Sequence, residues 1–262
     1  MAAVLELNKV CMDFGGLRAL DEVSLRVEPS QIVALIGPNG AGKTTLFNCV
    51  TGIYDPTSGD VLLNAPGGES RRVNGLKPNK VTELGMARTF QNIRLFPSMT
   101  VLENVMVGCH CRMHASILGA VVKGPGARAE ERRVVDFSYE LLRLVGLTRW
   151  VNEISSNLPY GAQRRLEIAR AMATEPYLVL LDEPAAGMNP QETDDLKELI
   201  VRIRDTWSKS ILLIEHDMSL VMGISDRIYV MEYGRLIAEG SPKEVSENPA
   251  VIKAYLGEDL DA

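Results

Sequence analysis

A mostly parallel α/β sheet with an antiparallel β flank and an inserted α-helical subdomain is the fold this sequence predicts, on three observations. Residues 31–36, 177–181 and 210–214 are continuous apolar runs after their first residues Gln31, Tyr177 and Ser210, as required of strands buried on both faces. Residues 4–7 and 23–27 alternate apolar and polar side chains, the pattern of strands with one wet face. From residue 93 to residue 157 the sequence turns helix-forming and interrupts the succession of strands.

Taken in order, residues 4–7 and 23–27 make the flank, and residues 31–36 make the first central strand. Directly after it come Gly37, Pro38, Asn39, Gly40, Ala41, Gly42, Lys43, Thr44 and Thr45, and residues 44–50 can open a helix. The pattern G-x-x-x-x-G-K-[ST] between a strand and a helix is a phosphate loop. Its glycines let several N–H groups point at one anion, and the helix N-terminus adds partial positive charge. Lys43 is placed to reach the β- and γ-phosphates of a nucleoside triphosphate, and Thr44 to ligate Mg²⁺. Ahead of the loop, Phe14-Gly15-Gly16 sets one aromatic before a turn; its ring either stacks on a nucleotide base or packs in the core.

A turn at residues 57–60 leads into the short run 61–63, and residues 85–91 read as a strand-like run ending on Gln91, whose amide can ligate a metal and hold water. In the helical stretch, residues 99–105 start one helix. Residues 128–133 start another that carries Val134, Val135, Tyr139, Leu142 and Leu144 until Gly146 stops it. Residues 115–122 between them are apolar but far too few to span a membrane, so they form either a minor core piece or a partner-facing patch. Leu158, Pro159, Tyr160, Gly161, Ala162 and Gln163 lead into a helix at 164–173 that turns Leu166, Ile168, Ala169 and Met172 to a core.

The strand 177–181 ends in Asp182-Glu183, at the strand edge where α/β folds bind ligands. There Asp182 can hold Mg²⁺ and its waters, and Glu183 can activate an attacking water. The strand 210–214 ends in Glu215-His216-Asp217, so His216 emerges at the same edge, within reach of a γ-phosphate. Met218 and Met222 lie one turn apart as core candidates, residues 227–231 and 236–238 read as a closing hairpin, and residues 241–262 as a short helix with an acidic tail.

Composition narrows the function classes. A chain of 262 residues that is 46% apolar can fill one large core, and a net charge of -6 argues against a broad basic surface for nucleic acid. No apolar run approaches the roughly 18 residues of a membrane span. The opening residues lack the pattern of a signal peptide, so a cytoplasmic protein is expected. Cys11, Cys49, Cys109 and Cys111 do not form a disulfide framework. The cluster from Cys109 to His114 holds four soft ligands crowded into six residues, without a second half-site, which favours thiols and imidazoles over a metal centre.

With these pieces in order, the chain resembles an ATP-binding-cassette (ABC) ATPase over essentially its whole length. The resemblance implies a RecA-like P-loop NTPase fold, with the core and its β flank at 1–92 and 158–240, the helical insert at 93–157, and a C-terminal helix and tail at 241–262. It makes Phe14 the adenine-stacking aromatic, Gln91 the Q-loop glutamine, residues 158–163 the signature that meets a partner's ATP, Asn189 the D-loop residue, Glu183 catalytic and His216 the switch histidine. Gln91 and Asp182 would share Mg²⁺ with Thr44, Asp182 either directly or through water. The motifs Phe14-Gly-Gly, Arg88-Thr-Phe-Gln, Leu158-Pro-Tyr-Gly and Ile214-Glu-His-Asp-Met look like the LivG-type subunit of branched-chain amino-acid importers.

That likeness implies ATP and Mg²⁺ as cofactors and membrane permease subunits as partners. It also implies a second ABC ATPase subunit, as a heterodimer or, in isolation, a homodimer, and indirectly an extracytoplasmic solute-binding protein. No nucleic acid is implied, and the place is the inner face of the cytoplasmic membrane. The family signature reads Leu-Ser-Gly-Gly-Gln; here Pro159 stands at the serine, Tyr160 at the first glycine and Ala162 at the glutamine. At the D-loop, Asn189 stands where aspartate is usual. Urea or amide import and lipid export share the same motor. A soluble cassette acting on DNA or ribosomes usually carries a coiled-coil insert or tandem cassettes, and a P-loop kinase leaves residues 158–163 and His216 unexplained.

Overall fold

The computed structural model of the chain describes residues 2–112 and 125–256. The apolar segment 115–122, His114 and the acidic tail from residue 257 lie outside the described residues. Strands β1 (Leu5–Phe14) and β2 (Leu17–Val27) form one antiparallel hairpin, pairing Leu5 with Val27 and Phe14 with Leu17. Leu5, Leu7, Val23, Leu25 and Val27 point into the core while Asn8, Ser24 and Arg26 face solvent, which is the alternation seen in the sequence. β3 (Ile32–Ile36) is buried at all five positions, and α1 (Lys43–Val50) follows the phosphate loop, starting one residue earlier than expected. β4 (Ser58–Asn64) pairs antiparallel with β1 and with β5 (Ser70–Arg72), so the run at 61–63 joins the flank. After α2 (Pro78–Glu83), β6 covers only Met86–Arg88; Gln91 lies beyond it and is exposed, not at a strand end.

Residues Thr89–Pro176 form a compact helical unit, wider than the expected 93–157. Its helices are α3 (Val101–Cys109), α4 (Pro125–Leu144) and α5 (Tyr160–Met172). α3 opens with a capping box in which Thr100 and Glu103 satisfy each other's backbone N–H. On α4 the buried residues include Val134, Ser138, Leu141, Leu142 and Leu144; of the others expected on that face, Val135 is half-buried and Tyr139 is exposed. α5 begins four residues before the expected start and buries Leu166, Ile168, Ala169 and Met172, the three larger side chains contributing about 1.5–3 kcal/mol each.

The extension of the unit back to residue 89 follows from buried charge on α5. Arg164 donates to the carbonyls of Phe90 (2.8 Å) and Gln91, and the Glu167 carboxylate accepts the Arg94 N–H at 2.7 Å. Burial pushes the Glu167 carboxyl up, against the Arg94 N–H and the Arg164 and Arg170 charges, which pull it down.

The rest of the chain returns to the sheet with β7 (Leu178–Asp182), α6 (Pro190–Trp207), β8 (Ser210–Ile214), α7 (Met218–Ile224), β9 (Arg227–Glu232) and β10 (Arg235–Gly240). Two short helices, α8 (Pro242–Ser246) and α9 (Pro249–Leu256), end the described residues. Among the described residues the second sheet has the order β10-β9-β3-β8-β7-β6, parallel throughout except for the antiparallel edge strand β10. β3, β8 and β7 are neighbours, so the loops that leave their carboxyl ends meet at one edge. Met218 and Met222 are only half-buried; the buried side of α7 is made by Leu220, Val221 and Ile224.

Candidate nucleotide site

The phosphate loop is held by glycines that nothing larger can replace. Gly37 has φ 147°, and a Cβ there would stand 2.1 Å from the Met231 carbonyl oxygen; Gly42 has φ 101° and would meet the Ala19 oxygen at 2.8 Å. From the other side the loop is pinned by the Gly234 N–H, which donates to the Ala41 oxygen at 3.0 Å. Lys43 is 6% exposed, and its ammonium donates to the carbonyls of Gly37 (2.6 Å) and Pro38 (2.8 Å). The first turn of α1 contains no acid, and Gly42 at the N-cap gives it no side-chain acceptor. This helix end therefore suits an anion.

A cavity of about 610 Å³ opens over this loop and is lined by Asn39, Gly40, Ala41, Gly42, Lys43, Thr44 and Thr45 together with Phe14, Leu17, Arg18, Glu183, His216 and Tyr233. Phe14 is 42% exposed and stands edge-on to Tyr54, with 5.2 Å between ring centroids. Of the two readings open for this ring, the structure places it at the cavity, not in the core. Asp182 closes β7 as a buried residue, and Glu183 follows at φ 47°, a left-handed conformation costly for a residue with a side chain. The Glu183 N–H holds that turn by donating to the Ile214 oxygen at 2.9 Å. His216 Nε2 lies 3.2 Å from Glu183 Oε1, so the acid and the imidazole expected at two strand ends form one pair.

Other expected positions divide. Gln91 and residues 158–163 belong to the helical unit. Leu158, Gly161 and Ala162 are buried there, Tyr160 is 44% exposed beneath the Arg164 guanidinium, and the Gln163 amide donates to the Leu158 oxygen at 2.9 Å. Pro159 takes the N-cap position of α5 without a side-chain bond, as its lack of a hydroxyl dictates. Asn189 caps α6 in a box with Glu192, accepting its N–H at 3.0 Å. Asparagine and aspartate serve that cap equally, which accounts for the departure at this position.

Among the four cysteines, Cys11, Cys49 and Cys109 are buried and Cys111 is exposed. Burial, with a smaller push from Asp55, raises the Cys49 thiol to about 12, and burial also raises Cys109. Among the described residues no group of three or more His, Cys, Asp or Glu is placed to hold a metal ion. Nor, among them, is any helix long and apolar enough to cross a membrane.

The profile of the ABC transporter family matches residues 20–186, a span that contains the phosphate loop, the Asp182-Glu183 pair and the whole helical unit. The chain belongs to the ABC transporter family. A second profile, that of the branched-chain amino acid ATP-binding cassette transporter, matches residues 235–261 of this ABC cassette. The cassette is 49% identical over 255 residues to the high-affinity branched-chain amino acid transport ATP-binding protein BraF of Pseudomonas aeruginosa, covering 97% of this chain and 98% of that one. It is equally similar, over the same shares, to LivG of Escherichia coli, which carries the same description. Among solved structures, the ADP conformation of an ATP-binding cassette of an ABC transporter superposes with a TM-score of 0.83 at 30% identity, covering 98% of this chain and all of the other. The family is one of ATPases, and the P-loop NTPase fold expected from the sequence is the fold of these structures.

Three contributors to the cassette's site were not singled out by the sequence. Arg18 lines the cavity and is fixed by Asp13 (2.9 Å) and Asp21 (3.0 Å), which hold its guanidinium above its ordinary range. Arg88 pairs with Asp182 at 2.7 Å. Glu215, 4% exposed, accepts the N–H groups of Ala185 (2.7 Å), His216 (2.8 Å) and Asp217 (3.2 Å), tying the loop after Glu183 to the loop that carries His216. Its only sequence signal is an acid beside a histidine at a strand end.

Glu215→Ala removes the acceptor from all three donors, at about 1–3 kcal/mol for each one left buried and unpaired. The expected results are a lower melting temperature and, because the Glu183–His216 pair loses its frame, a fall in kcat of about tenfold or more. A normal kcat in the folded variant would show that Glu215 only stabilises.

Proposed function

We propose that this cassette binds ATP with Mg²⁺ in the cavity over the phosphate loop, hydrolyses it there, and thereby powers import of branched-chain amino acids through membrane permease subunits. The observation that carries the hydrolytic part is that the phosphate loop, Glu183 and His216 line one cavity. The solute class rests on the 49% identity to BraF and LivG over nearly the full length of each chain.

In this reading Lys43 and the N–H groups of residues 39–45 bind the β- and γ-phosphates, and the ring of Phe14 takes the adenine face. Glu183 accepts the proton of the attacking water. His216, already paired with Glu183, orients that carboxylate and bonds the γ-phosphate. The Thr44 hydroxyl and the Asp182 carboxylate are oxygen donors, which fits a hard cation such as Mg²⁺, and the Gln91 amide is a donor of the same kind. Bound there, Mg²⁺ supplies charge neutralisation across the phosphate oxygens.

A second cassette completes each site by presenting its signature to this chain's ATP, while this chain presents residues 158–163 to the partner's. Pro159 has neither hydroxyl nor N–H to give, so the exposed Tyr160, Gln163 and the N-terminus of α5 carry that contact. With a related ATPase whose signature keeps its serine the two sites are unequal, only the partner's ATP lacking the hydroxyl contact, whereas a homodimer would place Pro159 at both; the heterodimer is the assembly favoured here. The permease docks on the helical unit, and the solute reaches the permease from an extracytoplasmic binding protein. The cassette thus works peripherally on the inner face of the cytoplasmic membrane.

The test is uptake by vesicles containing the permease subunits, the partner cassette and this chain, with ATP enclosed on the cassette side and a loaded binding protein on the other. Leucine, isoleucine and valine are expected to accumulate only with ATP and only with this chain present. Uptake of urea or an amide in place of these amino acids would correct the solute class and leave the motor standing.

A further inference from the structure

Arg88 ends β6 with its guanidinium buried, the side chain 7% exposed, and its bonds reach two other elements. Nη2 donates to Asp182 Oδ2 at 2.7 Å on β7. Nη1 donates to Asn48 Oδ1 at 2.8 Å and to Thr51 Oγ1 at 3.2 Å, at the C-terminal end of α1, and the guanidinium stands 5.4 Å from the Phe47 ring centroid. Asn48 lies one turn beyond Thr44 on the same helix. A single planar fork therefore joins the helix that carries Thr44 to the strand that ends in Asp182.

Buried ion pairs stabilise little compared with apolar residues of similar size, and their best-attested use is to fix one arrangement. An arginine suits this because its guanidinium is rigid and holds two partners at set angles, which lysine cannot do. We infer that Arg88 is a positioning residue of the cation site: it sets the orientation of the Asp182 carboxylate and its spacing from Thr44, so that both oxygens meet one Mg²⁺ bound with ATP. The inference rests on the ATP–Mg²⁺ reading above. It gives Arg88 a role toward the cation without contact with nucleotide or metal, as outer-shell partners of metal ligands have.

The test is equilibrium ATP binding by the full chain in excess Mg²⁺ and in EDTA, for wild type, Arg88→Lys and Asn48→Ala, with thermal melts in parallel. Arg88→Lys keeps a cation beside Asp182 but loses the fork. Asn48→Ala leaves the Arg88–Asp182 pair in place and removes the shorter of the two hydrogen bonds that Arg88 makes at the end of α1, while the Thr51 bond remains. In Mg²⁺, Arg88→Lys is expected to weaken ATP binding about tenfold, the lower end of what outer-shell partners contribute to metal affinity, and Asn48→Ala about threefold. In EDTA both variants are expected to match wild type within about twofold, because the phosphate loop itself is untouched.

Equal losses with and without Mg²⁺, or no loss in Mg²⁺, would overturn the inference while a Mg²⁺-dependent wild type upholds the reading beneath it. A wild-type affinity that is the same in Mg²⁺ and in EDTA would overturn both.

Discussion

Glu183→Gln is expected to bind ATP as wild type does and to hydrolyse it roughly 10²- to 10⁴-fold more slowly, equivalent to about 3–5 kcal/mol in the barrier. The amide keeps the size and the hydrogen-bonding reach of the carboxylate but cannot take a proton from water. The backbone at Glu183 is held at φ 47° by its N–H bond to Ile214 and by Glu215 gripping Ala185 two residues on, so the substitution leaves the turn in place. His216 at 3.2 Å keeps a partner in the glutamine oxygen. Binding and chemistry are thereby separated, and slow turnover should accumulate an ATP-bound dimer visible by size-exclusion chromatography. Wild-type turnover in the variant, assayed with its partners, would remove Glu183 from the mechanism.

Lys43→Ala should act earlier, on affinity itself. The ammonium is almost fully buried and held over the loop by the carbonyls of Gly37 and Pro38, so little side-chain entropy remains to be lost when phosphate arrives. Each hydrogen bond to a charged group contributes about 1.5–3 kcal/mol, so losing the contacts from Lys43 is expected to raise the Kd for ATP by about one to two decades or more. The measurement is calorimetric or fluorescence titration with ATP and, beside it, adenosine. Adenosine should bind both proteins alike, because its base is held by Phe14 and not by the loop. Unchanged ATP affinity would count against the phosphate-loop assignment.

Much of this site could be read from the sequence because its parts sit where strand rules put them. β3, β7 and β8 are buried at every position, so their ends were marked by the first polar residues after each apolar run, and those residues are the phosphate loop, Asp182-Glu183 and Glu215-His216. Which of the adjacent polar side chains turns inward was not marked. Glu215 and His216 are neighbours, yet one is buried and the other exposed, and only the packing of the two loops decides it. Arg88 and Asp182 are 94 positions apart, a distance across which periodicity carries no signal.

The boundary of the helical unit was misplaced for a similar reason. Arg164 and Glu167 on α5 look like a solvated face, but both are buried against the backbone of residues 90–94. On α4, Tyr139 was expected on the apolar face, but helix packing buries Leu141 instead.

The measurement that bears most directly on the account is a crystal structure of the Glu183→Gln protein grown with ATP and Mg²⁺. The expected result is phosphates cradled by residues 39–45 with Lys43 Nζ turned to the β- and γ-oxygens, the adenine against the ring of Phe14, and His216 facing the γ-phosphate. Triphosphate bound elsewhere than this cavity, or bound in it with its γ-phosphate away from Lys43 and residue 183, would contradict it.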